Sequence, residues 1–140
     1  MNALDKAIYG KLAAASGLTG LLAAGTASVF QHLAPQGADP PYVVFNKVSR
    51  APMRVSGGGA VAFDAAVYQV KGITVGESAA AGGTIADQID LALDRAALSV
   101  TGYSTLSVFR DQDVDYPEPQ PGGPVAYHRG ALYRIVIDPT

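Results

Sequence analysis

At 140 residues the chain has room for one domain, residues 1–140, with a core that needs no covalent staples. It has no cysteine, which excludes a disulfide framework, a thiolate metal site and a thiol nucleophile. A net charge of −2 argues against electrostatic capture of nucleic acid, and 49% hydrophobic against only 16% charged residues is lean for a free monomer. That balance suits a subunit that hides surface in an assembly, although small alanine- and glycine-rich domains share it.

Asn2 is placed to cap a first helix, with Asp5 favouring its N-terminal dipole. Leu4, Ala7, Ile8, Leu12 and Ala15 recur at helical spacing and predict its buried stripe, with a stop at Ser16 and Gly17. Residues 12–38 carry no charged side chain and follow Lys6 and Lys11, the outline of a secretory signal peptide. Asp5 in the would-be basic region and Gly17 and Gly20 in the apolar run argue against it. The run is also too weakly hydrophobic to need a bilayer. A loose turn over 18–23 and a short strand over 27–33 follow.

Pro35, Gly37, Pro40 and Pro41 then set a polar turn, because proline locks φ and glycine permits positive φ. Tyr42, Val43, Val44 and Phe45 make a β-branched and aromatic run, and a strand is predicted over 41–49. Residues 50–60, with Pro52 and three successive glycines, read as a mobile, exposed connection. A long strand over 63–75 precedes a helix over 78–95, capped by Ser78. Ala81, Ile85, Ile89, Ala92, Leu93 and Ala96 form the apolar stripe of that helix, and Asp87, Asp90 and Asp94 its wet face. Gly82 and Gly83 each weaken its first turns by about 1 kcal/mol. Strands are predicted over 98–110 and 125–137, joined by a stiff acidic and proline-rich tip. The order helix, strands, helix, strands predicts an α+β two-layer sandwich, a mainly antiparallel sheet with two helices packed on one face.

No catalytic constellation can be assembled. The Gly57–Gly59 run lacks the Lys-Ser/Thr of a phosphate-binding loop. Asp111, Asp113 and Asp115 have the spacing of the first calcium ligands of an EF-hand, but Tyr116 and Gly122 stand where glycine and glutamate are required. His32 and His128 have no ligand partner at metal spacing, and His128 is expected to face solvent or an interface. The expectation is a protein without enzymatic activity, cofactor or metal.

Charge is segregated along the chain. Residues 47–71 hold Lys47, Arg50, Arg54 and Lys71 against Asp64, a net of +3, whereas residues 77–118 hold eight acids against Arg95 and Arg110, a net of −6. Ordinary surface scatter accounts for this as well as a molecule with one basic and one acidic side does; such a molecule packs head to tail, and a head-to-tail contact that closes makes a ring.

The pairing of Ala34-Pro35-Gln36-Gly37 with Pro41-Tyr42-Val43-Val44-Phe45 resembles the tail terminator, or tail completion, proteins of long-tailed bacteriophages and gene-transfer agents. The amino-terminal helix, the strand 65–75 running into helix 78–95, and the closing segment Tyr127-His128-Arg129-Gly130-Ala131-Leu132-Tyr133-Arg134 are similar to that family, with Arg129 separating the His-Gly pair that its last strand often carries. The resemblance implies a virion structural protein that forms a six-subunit ring on the tail tube protein, stops tube growth, and meets the head–tail connector protein, with DNA only passing through the channel. It implies the head–tail junction of the virion, reached from the host cytoplasm, and no membrane. Another neck or head-completion protein, or a soluble small-ligand binding domain, remain the alternatives. Lys47, Arg50, Arg54, Asp87, Asp90 and Asp94 are the candidate subunit or tube interface. Alanine at Arg50 and Arg54 is expected to leave the thermal midpoint nearly unchanged and to impair tail completion. Neutralising the three acids is expected to raise it slightly, because Asp90 and Asp94 are four residues apart on a helix.

Overall fold

The computed structural model describes residues 2–54, 61–76 and 79–139; the glycine run at 57–59 and the expected cap Ser78 lie outside them. Helix α1 (Asn2–Ala14) and the single turn α2 (Ser16–Thr19) lead through a 3-10 turn (Gly25–Ser28) into β1 (Val29–Gln31). Strands β2 (Tyr42–Arg54) and β3 (Val61–Val75), helix α3 (Ala79–Leu93), and strands β4 (Tyr103–Glu118) and β5 (Ala126–Pro139) complete the chain. The five strands form one sheet in the order β1-β2-β3-β5-β4, antiparallel throughout except for the short parallel pair β1 and β2. This is the α+β, mainly antiparallel architecture that the alternation of helices and strands predicts.

The core lies between the sheet and the helices. Leu4, Ile8 and Leu12 of α1 and Ile85, Ile89 and Leu93 of α3 pack against Val43, Phe45, Ala66, Tyr68, Val70, Tyr133, Ile135 and Ile137. The i, i+4 spacing on both helices puts one stripe of each toward the sheet. Two tyrosines at the centre fasten the layers. Tyr68 and Tyr133 are cross-strand partners on β3 and β5. The Tyr68 hydroxyl donates to Asp5 of α1, and the Tyr133 hydroxyl donates to Asp90 of α3 at 3.0 Å. Burial, reinforced by the acid beside it, pushes each phenol well above its ordinary value.

Gly130 lets β5 pass close to β3: a Cβ there would sit 2.0 Å from the Val70 carbonyl oxygen. Gly82, which weakens α3 by propensity, earns its position by contact, since a Cβ there would lie 3.1 Å from Arg129 Cδ.

Several boundaries differ from those predicted. Residues 50–54, expected in a mobile connection, extend β2 and pair with β3 as far as Arg54 against Val61. Pro52 is tolerated because β1 covers β2 only at Val43, Val44 and Phe45, leaving that margin open at Pro52. Residues 111–118, expected in the tip, continue edge strand β4, where Pro117 needs no donor on its open side. Residues 96–99 have no regular structure, and 101–102 form a turn closed by a bridge between Val100 and Tyr103. The strand expected over 27–33 shrinks to three residues behind the 3-10 turn.

Candidate assembly interface

Among the described residues each margin of the sheet has a stretch with a neighbouring strand on one side only, and the side chains of the two stretches are opposite in charge. On one side β2 runs past the end of β1, so residues 46–54 have a sheet neighbour on β3 alone. This strand holds Lys47, Arg50 and Arg54 and no acid. On the other side β4 pairs only with β5. The loop after α3 covers its first half: the Arg95 amide donates to the Val108 carbonyl at 2.7 Å, and the Arg110 amide donates to Asp94 Oδ1 at 2.9 Å. The open half, residues 111–118, holds Asp111, Asp113, Asp115 and Glu118 and no cation. Charge segregation along the sequence is therefore segregation in space, because the sheet order puts the two segments at opposite margins.

The candidate residues do different things. Arg50 forms an ion pair at 2.5 Å with Asp64, whose side chain is 8% exposed, so its guanidinium supports a buried carboxylate rather than standing free. That hydrogen bond holds the Arg50 pKa above its ordinary value. Arg54 is exposed and Lys47 half-buried. On α3 only Asp87 stands on the expected wet face. Asp90 accepts from Tyr133 and lies 3.7 Å from Arg110 Nε, while Asp94 ties the helix end to β4. The sequence pattern missed this because Asp90 sits one position from the apolar stripe, where a tyrosine rising from β5 can reach it.

The three aspartates at calcium-like spacing are spent on three arginines: Asp111 on Arg134 at 3.3 Å, Asp113 on Arg110 at 3.5 Å and Asp115 on Arg129 at 3.3 Å. Among the described residues no group of three or more acidic or histidine side chains is placed to hold a metal ion. No described helix is long and apolar enough to cross a membrane.

Among the described residues the face of the sheet away from the helices is covered at one end. There the loop 32–41 closes a small second cluster in which Phe30, Ala34 and Tyr42 pack on Val44, Ile73 and Ala126. Tyr42, Ile73, His128 and Tyr116 form one row across four strands. His128, expected to face solvent or an interface, is 8% exposed within the single chain, which removes the solvent alternative: its ring stacks on Tyr116 at 4.5 Å between centroids, and its Nε2 lies 3.1 Å from Glu118. Lys71 Nζ donates to the Tyr116 hydroxyl at 2.6 Å. Alternation explains the burial, since His128 shares its row with Ile73 rather than with the solvent-facing margin.

The described residues make a helix-backed sheet whose two margins carry side chains of opposite charge. The chain belongs to a phage tail completion family: the family model for Tail completion protein gp17 matches residues 6–138. Its fold is similar to that of a chain in the virion of a native gene transfer agent particle, at TM-score 0.72 and 16% identity over 96% of this chain and 94% of that one. A second solved chain matches at TM-score 0.59 and 15% identity over the same shares. No curated protein matches.

Proposed function

We propose that the protein caps the tail tube as a ring of six copies, stops tube growth, and forms the joint to the head connector, with DNA only passing through its channel. Membership of the tail completion family and a fold shared with a virion component support a structural role in the particle, and a non-catalytic one. The observation that carries the ring is the pair of open margins. Strands β2, β3, β5 and β4 alternate in direction, so an acidic β4 margin laid beside the basic β2 margin of a next copy continues an antiparallel sheet. Like margins still disfavour each other: β4 against β4 sets acids opposite acids, and the exposed ion pairs of Asp111, Asp113 and Asp115 with Arg134, Arg110 and Arg129 offset that charge only in part, which favours a head-to-tail contact over a two-fold dimer. The open stretches lie toward opposite ends of the sheet, so joining them needs a stagger, which tilted strands in a closed barrel supply.

Electron microscopy of the protein on isolated tail tubes tests the proposal. The expected image is a single ring of six copies at the head-proximal end. One copy per particle, or density elsewhere on the virion, overturns the capping role.

A further inference from the structure

Two copies can also join without a stagger, and the backbone is matched for it. Arg50, Ala66, Ile135 and Val108 form one row across the sheet, and Lys47, Tyr68, Tyr133 and Arg110 form another. Arg50 and Lys47 on one margin are therefore level with Val108 and Arg110 on the other. The Val108 carbonyl and the Arg110 amide both point away from β5, since each finds its partner in the loop after α3. On β2 the Phe45 carbonyl accepts from the His32 amide at 2.9 Å, and alternation turns the Lys47 backbone to that same margin. A β2 strand laid level against β4 of another copy is antiparallel to it. Charge does not forbid the pairing, because Asp90 at 3.7 Å and Asp113 at 3.5 Å already offset Arg110, and Asp64 offsets Arg50. Repeated, level addition sets every copy in line, and a sheet without shear grows as an open filament instead of closing.

The loop after α3 stands in the way. It is a strap and not a sixth strand: residues 96–99 have no regular structure. The Arg95 amide, the Asp94 carboxylate and the Leu98 carbonyl tie it to β4 at Val108, Arg110 and Thr105, over 2.7, 2.9 and 3.1 Å. Between these ties a cavity of about 750 Å³ opens, lined by Arg95, Leu98, Thr105, Val108 and Phe109. Arg95 has a φ of 59°, left-handed backbone that favours glycine, and its amide goes to Val108 and not to a carbonyl of α3. The strap thus covers the stretch of β4 that is level with the open part of β2, and leaves residues 111–118 clear.

We propose that the strap, residues 94–99, is an edge guard: it blocks level addition of a second copy's β2 to β4, so that copies do not grow into filaments and join only with the stagger that closes a ring. The inference rests on the margin-to-margin joint proposed above, and it adds the element that selects closed over open-ended growth.

The double variant Asp94→Ala, Arg95→Pro in the full chain tests the guard. The first change removes the acceptor of the Arg110 amide; the second removes the donor to Val108 and cannot hold a φ of 59°. Hydrogen exchange at the Arg110 amide reads whether the edge is uncovered. Sedimentation and electron microscopy at about 0.5 M salt, where charged margins are screened, read what the chains then do. The expected result is an Arg110 amide that exchanges about a hundredfold faster than in the parent, together with linear filaments that the parent does not form. Asp94→Ala alone keeps the Arg95 amide; it is expected to form the same filaments about tenfold more slowly, and it carries the test if the double variant does not fold. Lys47→Pro in the released chain takes the matching donor from β2 and is expected to abolish the filaments. An Arg110 amide still protected after release, single copies despite an uncovered edge, filaments in the parent, or filaments that survive Lys47→Pro would each overturn the guard. Six-copy rings of the parent on tail tubes are read separately. Rings without filaments from the released chain remove the guard and leave the ring standing; filaments without rings do the reverse.

Discussion

Replacing Tyr133 by Phe removes one hydroxyl and leaves the ring in the core. The lost hydrogen bond goes to a carboxylate, a class worth about 1.5–3 kcal/mol. Asp90 keeps 27% of its side-chain exposure and has Arg110 Nε at 3.7 Å, so it is not stranded, and the lower end applies. A loss of about 1.5 kcal/mol in a chain of this length lowers the thermal midpoint by about 5 °C. The pH dependence makes the prediction sharper. The phenol is held above its ordinary value of 10.0 in the folded state, so unfolded chains ionise first as pH rises. The folded state then binds more protons than the unfolded state, and stability falls with pH above 10. At one unit above that value the parent has lost about 1.4 kcal/mol through this group, a loss the Phe variant cannot suffer. Urea unfolding of parent and variant should therefore differ by about 1.5 kcal/mol at pH 8 and by almost nothing at pH 11. A difference that stays constant from pH 8 to pH 11 would mean that the buried phenol ionises as freely as an unfolded one, and the account of the fastening would be wrong.

Arg50→Ala leaves Asp64 buried without its cation and should cost about 2 kcal/mol, below the range for a fully buried pair because Arg50 is itself 35% exposed. Asp64→Asn in the same background should recover part of this in a denaturation midpoint. Gly130→Ala drives a Cβ into the Val70 carbonyl, where rigid backbone cannot yield, and should cost about 3 kcal/mol or prevent folding, read by circular dichroism and yield. Reversing Asp113 and Asp115 to Lys should abolish ring formation in sedimentation at low salt, and reversing Lys47 and Arg54 to Glu in the same chain should restore it. Rings that form equally well in the single-sided reversal would eliminate the margins as the joint.

Where the sequence was a good guide, a period did the work. The i, i+4 stripe of α1 and the alternation in β3 and β5 name the core side chains directly, because burial on one face imposes those periods. Sequence pattern alone makes Pro52 and Pro117 strand breakers, but both sit on strand margins where a missing donor costs nothing, and only the sheet order reveals a margin. The acids of α3 illustrate the other gap. From the sequence, Asp90 and Asp94 repel each other and neutralising them should stabilise the protein. In the fold one accepts from Tyr133 and the other from the Arg110 amide, so replacing Asp90 by Asn should now destabilise it. Arg50 reverses in the same way, since its acid lies across a strand pair that no local pattern encodes. The basic and acidic segments were legible as charge counts, and their placement at opposite margins was not.

The position of β5 also governs when the chain becomes competent. It follows every other element in chain order, yet it lies between β3 and β4 and is the partner of both. Until it emerges from the ribosome, β3 has one bare side and β4 has no strand partner. Synthesis at about 5–20 residues per second makes that interval seconds long for the preceding strands. The pairings that close the sheet are also far apart in sequence, which places folding on the slow, millisecond-to-second scale. An interrupted chain therefore lacks a formed acidic margin, the half of the proposed joint that β4 supplies.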